Sequence, residues 1–183
     1  MSTPPVWNPL RLDVAALAER GAALEGQWPL EQLTRVMDDA PQPSGESVRW
    51  AAQGALKPVK GGVPQVRLRL EARATVERVC QRCLQPVALP LQVQREFVFV
   101  KDEDEAAALD ADSDDDVLTL TRSLNLQELV EDELLLELPL VPRHDRCPQA
   151  LEVPASVARL EGEADSEAPA HPFAVLAQLK RGE

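Results

Sequence analysis

The chain has 183 residues and a formal net charge of −12, with 44% hydrophobic residues, 3% aromatic residues and no Tyr. That length holds one domain or one domain with tails, and a core must be built from Leu, Val and Ala. No apolar run is longer than that of residues 14–18, far short of the roughly 20 residues that a bilayer-spanning helix needs. Residues 1–12 have no basic start followed by an apolar stretch. A cytoplasmic, reducing compartment is therefore the expectation, and there a CxxC pair is more often a metal or redox pair than a structural disulfide.

Charge is unevenly placed. Residues 102–116 hold nine acidic side chains, whereas residues 46–100 hold nine Lys or Arg against four Glu. The chain thus reads as a mildly basic sheet carrying an acidic flap, which the overall charge hides.

In chain order, residues 1–7 read as a loose end. Asn8-Pro9 reads as a helix start, because Pro is tolerated at the first helical position. Leu10, Val14 and Leu17 follow at helical spacing, with Gly21 as the stop. Residues 22–30 suit a short strand carrying Trp28, residues 31–37 a short helix, and residues 38–46 a loop rich in Pro. Val48, Trp50 and Ala52 alternate with Arg49, Ala51 and Gln53, which is a strand, and Pro58, Gly61, Gly62 and Pro64 make the turn that follows.

Residues 66–100 are the organising stretch. Val66, Leu68, Leu70, Ala72, Ala74 and Val76 alternate with Arg67, Arg69, Glu71, Arg73, Thr75 and Glu77. That period of two is a strand with one apolar and one charged face. After Cys80-Gln81-Arg82-Cys83-Leu84-Gln85-Pro86 the alternation resumes at Val87, Leu89, Leu91, Val93, Phe97 and Phe99, broken at Arg95. Trp50, Phe97 and Phe99 all fall on the inner face.

Residues 101–116 have too little apolar surface to offset the entropy of ordering them, so disorder is expected. Residues 117–121 can pair briefly with the sheet. Asn125 can cap a helix over 125–138, with Glu128 at capping-box spacing and Leu126, Leu129, Val130, Leu134 and Leu138 on one stripe. Residues 152–170 read as an acidic loop, and 172–180 as a short helix with Phe173, Leu176 and Leu179 on one side. The expected fold class is α+β: an antiparallel β-meander covered by one main helix, with short N- and C-terminal helices. Its expected organisation is one domain over 1–183. Within it, 8–100 form the first helix and core sheet, 101–116 the disordered acidic loop, 117–148 the strand, helix and His/Cys segment, and 149–183 the closing loop and helix.

Two features can carry chemistry. Cys80 with Cys83, and His144 with Cys147, are two pairs each spaced by two residues, and together they form a candidate zinc set of three thiolates and one imidazole. The pairs are separated by 60 residues, against about 15–20 in a compact zinc ribbon. The hairpin tip must then lie near the end of the 125–138 helix. Thiol redox chemistry and partly buried thiols without a ligand are the alternatives. The second feature is the arginine face: Arg67, Arg69 and Arg73, with Arg78 and Arg82 near the turn. It suits RNA phosphates, or is a solvated face paired to Glu71, Glu77 or Glu96. With the aromatics inside, base stacking gets little support. The acidic flap is either a solubilising linker or a surface for a basic protein. No Gly-rich phosphate loop, G-x-S-x-G or H-E-x-x-H occurs, so enzymatic signals are thin and no small-molecule substrate is expected.

Residues 79–84 (V-C-Q-R-C-L), 130–142 (V-E-D-E-L-L-L-E-L-P-L-V-P), His144, Cys147 and 172–180 (P-F-A-V-L-A-Q-L-K) resemble the YceD family, in the family's order. The C-x-R-C-L turn alone is a weak signal; the V-E-D-E-L-L-L helix and the P-F-A-V-L-A-Q-L-K ending make it a strong one. His171 stands where an Asn is expected before the Pro. The resemblance implies a non-enzymatic cytoplasmic bacterial protein needed for accumulation of large-subunit (23S) ribosomal RNA. It brings no catalytic residue or cofactor. The partner implied is rRNA or a large-subunit ribosomal protein, and not a membrane. The rival readings are an acidic, chaperone-like binder of a basic ribosomal protein without RNA contact, and a CxxC thiol oxidoreductase.

Overall fold

The alternation at residues 66–76 lies within β3 (Gln65–Val79), which forms a long hairpin with β4 (Pro86–Val100). The structure, a computed structural model, describes residues 6–38, 40, 46–59, 61–112 and 116–148. The chain divides into two compact units, Met1–Arg146 and Cys147–Glu183; of the second, Cys147 and Pro148 are among the described residues. The expected loop at 152–170 and helix at 172–180 lie outside them. No helix among the described residues is long and apolar enough to cross a membrane.

The first unit is α+β. Its five-stranded sheet has the order β1-β2-β3-β4-β5, with β1 (Ala23–Pro29) and β2 (Ser47–Lys57) preceding the hairpin and β5 (Asp116–Thr119) following it. Neighbours are antiparallel through β4, and β5 joins β4 in parallel. Because side chains alternate across a strand, the register puts one apolar set on one face. Val48, Trp50 and Ala52 of β2, Leu68, Leu70 and Val76 of β3, and Leu91, Val93 and Phe97 of β4 are all buried in one cluster. Trp28 of β1 stacks on Trp50, with ring centroids 4.5 Å apart.

Helices cover this face. α1 (Val14–Glu19) is capped by Asp13, whose side chain accepts from the Ala16 amide at 2.9 Å. The start expected at Asn8-Pro9 is a single 3-10 turn, because Asn8 accepts from Leu10 two residues on and closes that turn locally. α1 packs so closely on β2 that a Cβ at Gly54 would lie 2.7 Å from the Ala18 backbone nitrogen. α4 (Leu126–Glu137) begins at Asn125, which accepts from the Gln127 and Glu128 amides, and it buries Leu126, Leu129, Val130 and Leu134.

Two carboxylates of α4 are buried as well. Glu131 accepts from the Arg35 and Val36 amides at the start of α2 (Thr34–Met37) and pairs with the Arg35 guanidinium at 3.0 Å. Glu133 accepts from Arg95 Nε at 3.1 Å. This explains the broken alternation in β4: Arg95 stands on the core face because α4 offers it a carboxylate.

The acidic stretch departs from expectation. Rather than being disordered, Glu103–Asp112 forms α3. Asp102 caps it, accepting from the Glu105 amide at 2.9 Å. Glu103, Asp104 and Glu105 sit in its first turn, where negative charge suits the helix dipole. Composition alone misses this, since it counts charges without their position. Residues 113–115 lie outside the described set.

At the hairpin tip the chain turns through residues 80–85. The Cys80 amide donates to the Gln85 carbonyl and the Leu84 amide to the Cys80 carbonyl, each at 2.9 Å. Leu84 sits in the left-handed region at φ 58°, where a Cβ is unfavourable.

Leu84 and Glu133 each generate a stability test. Leu84 is 68% exposed, so Leu84→Gly relieves the turn and loses little packing; denaturant unfolding is expected to show a gain of about 0.5–1 kcal/mol, and a loss would contradict the strain. Burial pushes the Glu133 carboxyl above its ordinary value, while the hydrogen bond and charge of Arg95 pull it down and Asp116 and Asp132 push it further up. A carboxyl with a raised folded pKa is favoured while protonated and loses stability as pH rises through that pKa. Glu133→Gln keeps an acceptor for Arg95. It is expected to be at least as stable as wild type at neutral pH, with the difference vanishing as pH falls to the ordinary carboxylate range; a variant clearly less stable at neutral pH would contradict this.

Candidate metal centre

A CxxC turn at the end of a strand presents two thiols from one backbone loop, and a tetrahedral ion needs two more donors. Here they come from the segment after α4. Pro139 and Pro142 end the helix, and the chain runs on beside the tip, where the Gln81 amide donates to the Pro142 carbonyl at 2.8 Å. Arg82 holds the next residues, its guanidinium donating to the His144 carbonyl at 3.0 Å and the Asp145 carbonyl at 3.3 Å. Cys83 Sγ lies 3.4 Å from His144 Nδ1, although the two residues are 61 positions apart. The ligand atoms of Cys80, Cys83, His144 and Cys147 all lie within 4.8 Å of one another.

The donor set fits a metal on three grounds. With metal–sulfur bonds of about 2.3 Å and metal–nitrogen bonds of about 2.0–2.1 Å, the edges of a tetrahedron are about 3.5–3.8 Å. The Cys83–His144 contact, at 3.4 Å, is close to that edge, and the widest pair has at most about 1 Å to close from the 4.8 Å bound. His144 Nε2 lies 3.0 Å from the Pro86 carbonyl. A carbonyl can only accept, so Nε2 carries the proton and Nδ1 turns a lone pair towards Cys83, the outer-shell arrangement that fixes a ligating imidazole. The third ground is charge. Burial pushes the Cys80 thiol up, but the backbone N–H groups of Cys83, His144 and Arg82 pull it down further, to about 5. A thiolate at neutral pH is the ligand form.

The other sequence-nominated residues divide by environment. Arg78 is 6% exposed; it shares the parity of Val76 and so points to the core face, donating to the Val36 and Glu77 carbonyls. Arg82 belongs to the cysteine tip. Arg67, Arg69 and Arg73 stand on the opposite sheet face: Arg67 is buried and paired with Glu96 at 2.6 Å, Arg69 is paired with Glu71 at 2.9 Å, and Arg73 is exposed. The aromatics Trp50, Phe97 and Phe99 are buried. Two contributors escape sequence reasoning. One is the Pro86 carbonyl, which no side-chain pattern can announce. The other is Arg49, whose position directly across from Arg73 depends on strand register.

No solved structure matches the chain. The family model for the large ribosomal RNA subunit accumulation protein YceD matches residues 68–180. That span begins in β3 and takes in the cysteine tip, α3, α4 and the His144 segment, and it covers more than half of the chain. The chain therefore belongs to the YceD family.

Proposed function

We propose that this chain is a non-enzymatic binding factor that supports accumulation of large-subunit ribosomal RNA by holding the RNA backbone on the outer face of its sheet. The observation that carries the reading is the split between the two faces. Arg49, Arg69 and Arg73 are exposed on one side, while every sheet aromatic that base stacking would use is turned away from it. Such a face suits phosphates rather than bases.

In this reading the cysteine cluster is structural. Three thiolates and an imidazole are a closed zinc set with no open position for substrate. The depressed Cys80 thiol also suits a thiol oxidoreductase, but a thiolate held by turn amides beside His144 is equally what a zinc ligand requires. Metal content decides between them. The purified protein is expected to carry about one zinc per chain by elemental analysis. The Cys80→Ser, Cys83→Ser variant should lose it and melt several degrees lower. A metal-free wild type melting like the variant would remove zinc from the reading and bring thiol reactivity forward.

A second reading rests on α3, whose Glu103, Asp104 and Glu105 are exposed and offer a surface to a basic ribosomal protein. One experiment separates the two. Binding of an rRNA fragment by the full chain is expected to weaken steeply with salt, and Arg49→Glu, Arg69→Glu, Arg73→Glu should lower affinity about tenfold or more and flatten the salt slope. Deleting 102–116 should leave RNA affinity intact or raise it. RNA binding that ignores the arginines and salt, alongside ribosomal-protein capture that needs 102–116, would favour the acidic surface instead.

A further inference from the structure

We infer that Arg49 and Arg73 form a two-guanidinium site for one RNA phosphate; this rests on the RNA reading above and names the contact within it. The two residues are direct partners across the antiparallel β2–β3 pair, and like charges in that position repel and destabilise a sheet. Gln27 of β1 faces Arg49 and Gln92 of β4 faces Arg73. One row across four strands therefore reads Gln, Arg, Arg, Gln, with donors throughout and no carboxylate.

Other arginines of this face are neutralised. Arg67 pairs with Glu96 and Arg69 with Glu71. Glu71, the nearest carboxylate along β3, is thus taken. Among the described residues neither Arg49 nor Arg73 has an ion-pair partner. Both line one open groove of about 530 Å³, with Ser47, Thr75, Gln92 and one carboxylate, Glu46. Two facing guanidinium forks match a tetrahedral phosphate that accepts from both. An acidic peptide would present the same charge, but among the described residues this face has no exposed aromatic or large aliphatic residue beside the pair to anchor one, so the phosphodiester backbone is the better occupant.

A pair that repels without ligand and is bridged with it has two signatures of opposite sign. Arg49→Gln with Arg73→Gln should weaken binding of a labelled rRNA fragment about tenfold and flatten its log–log salt slope by roughly one to two, while raising the melting temperature of the RNA-free protein by about 1–3 °C. Arg73→Glu should also raise it, by pairing with Arg49, and weaken RNA binding further. Arg11→Gln with Arg20→Gln removes the same charge off the sheet and should change neither reading much. If wild type binds RNA and the Arg49, Arg73 variant behaves like the Arg11, Arg20 control, this site is overturned and the broader RNA reading stands. Wild type that fails to bind RNA even at low salt overturns both. Affinity lost together with a fall in melting temperature also overturns the site, since relieved repulsion has to act the other way. Displacement of the RNA by polyglutamate as readily as by competing RNA would reassign the pair to an acidic protein.

Discussion

The pleat of β3 is the constraint on which the rest of the described structure depends. A strand has two faces, and burying Leu68, Leu70, Ala72, Ala74 and Val76 on one commits Arg67, Arg69 and Arg73 to the other. A slip of one residue would exchange the faces, placing three guanidiniums in an apolar core. That penalty fixes the register against both neighbours. Register in turn sets the rest of the arrangement: Arg49 across from Arg73, Glu96 across from Arg69, and the cysteine tip at the end of the hairpin.

The core face also explains how a tip on one hairpin meets a segment far along the chain. β4 runs away from the tip and α4 brings the chain back, docked by apolar residues and by two buried carboxylates. Glu131 holds the start of α2, and Glu133 holds Arg95. The two are not equivalent. Glu131 gathers backbone amides as well as a guanidinium, so its charge is well compensated. Glu133 relies on Arg95, which is itself 45% exposed, and burial outweighs that partner and raises the Glu133 pKa. A metal held by residues 61 positions apart would close a large loop. In the chain-entropy account of cross-links that constraint would be worth about 4 kcal/mol, several times the strain of Leu84.

Much of this was legible in the sequence, for local reasons. Alternation marked β2, β3 and β4, and Asn125 with a leucine stripe marked α4, because each signal lies within one turn or one pleat. The parity of Arg78 was legible too: it continues the series of inner positions at Ala74 and Val76, and its burial follows from that count. Nearness to the turn is the weaker guide. The helix at Glu103–Asp112 was hidden because its support is positional, a cap at Asp102 and carboxylates in the first turn, whereas composition sees only charge. Two cysteine and histidine pairs announced their chemistry by spacing but not their meeting, which depends on α4 docking. The facing of Arg49 and Arg73 belongs to the same class of long-range fact.

Charge of the whole chain and charge of the sheet face then act at different ranges. At physiological salt, fields fade over about 8 Å, so a net charge of −12 does not cancel a site made of two adjacent guanidiniums. It does repel polyanions that approach any other surface. α3 concentrates acidic residues against β4 and β5, while Arg49 and Arg73 lie on β2 and β3. On the RNA reading proposed above, a strand of RNA would be discouraged at one edge of the sheet and accepted in its middle. Repulsion of wrong approaches contributes to specificity as much as attraction does, and it suits a protein that engages RNA at a defined place rather than coating it. On the RNA reading, the acidic helix and the arginine pair are two halves of one device: the first limits where nucleic acid can lie, and the second holds it there.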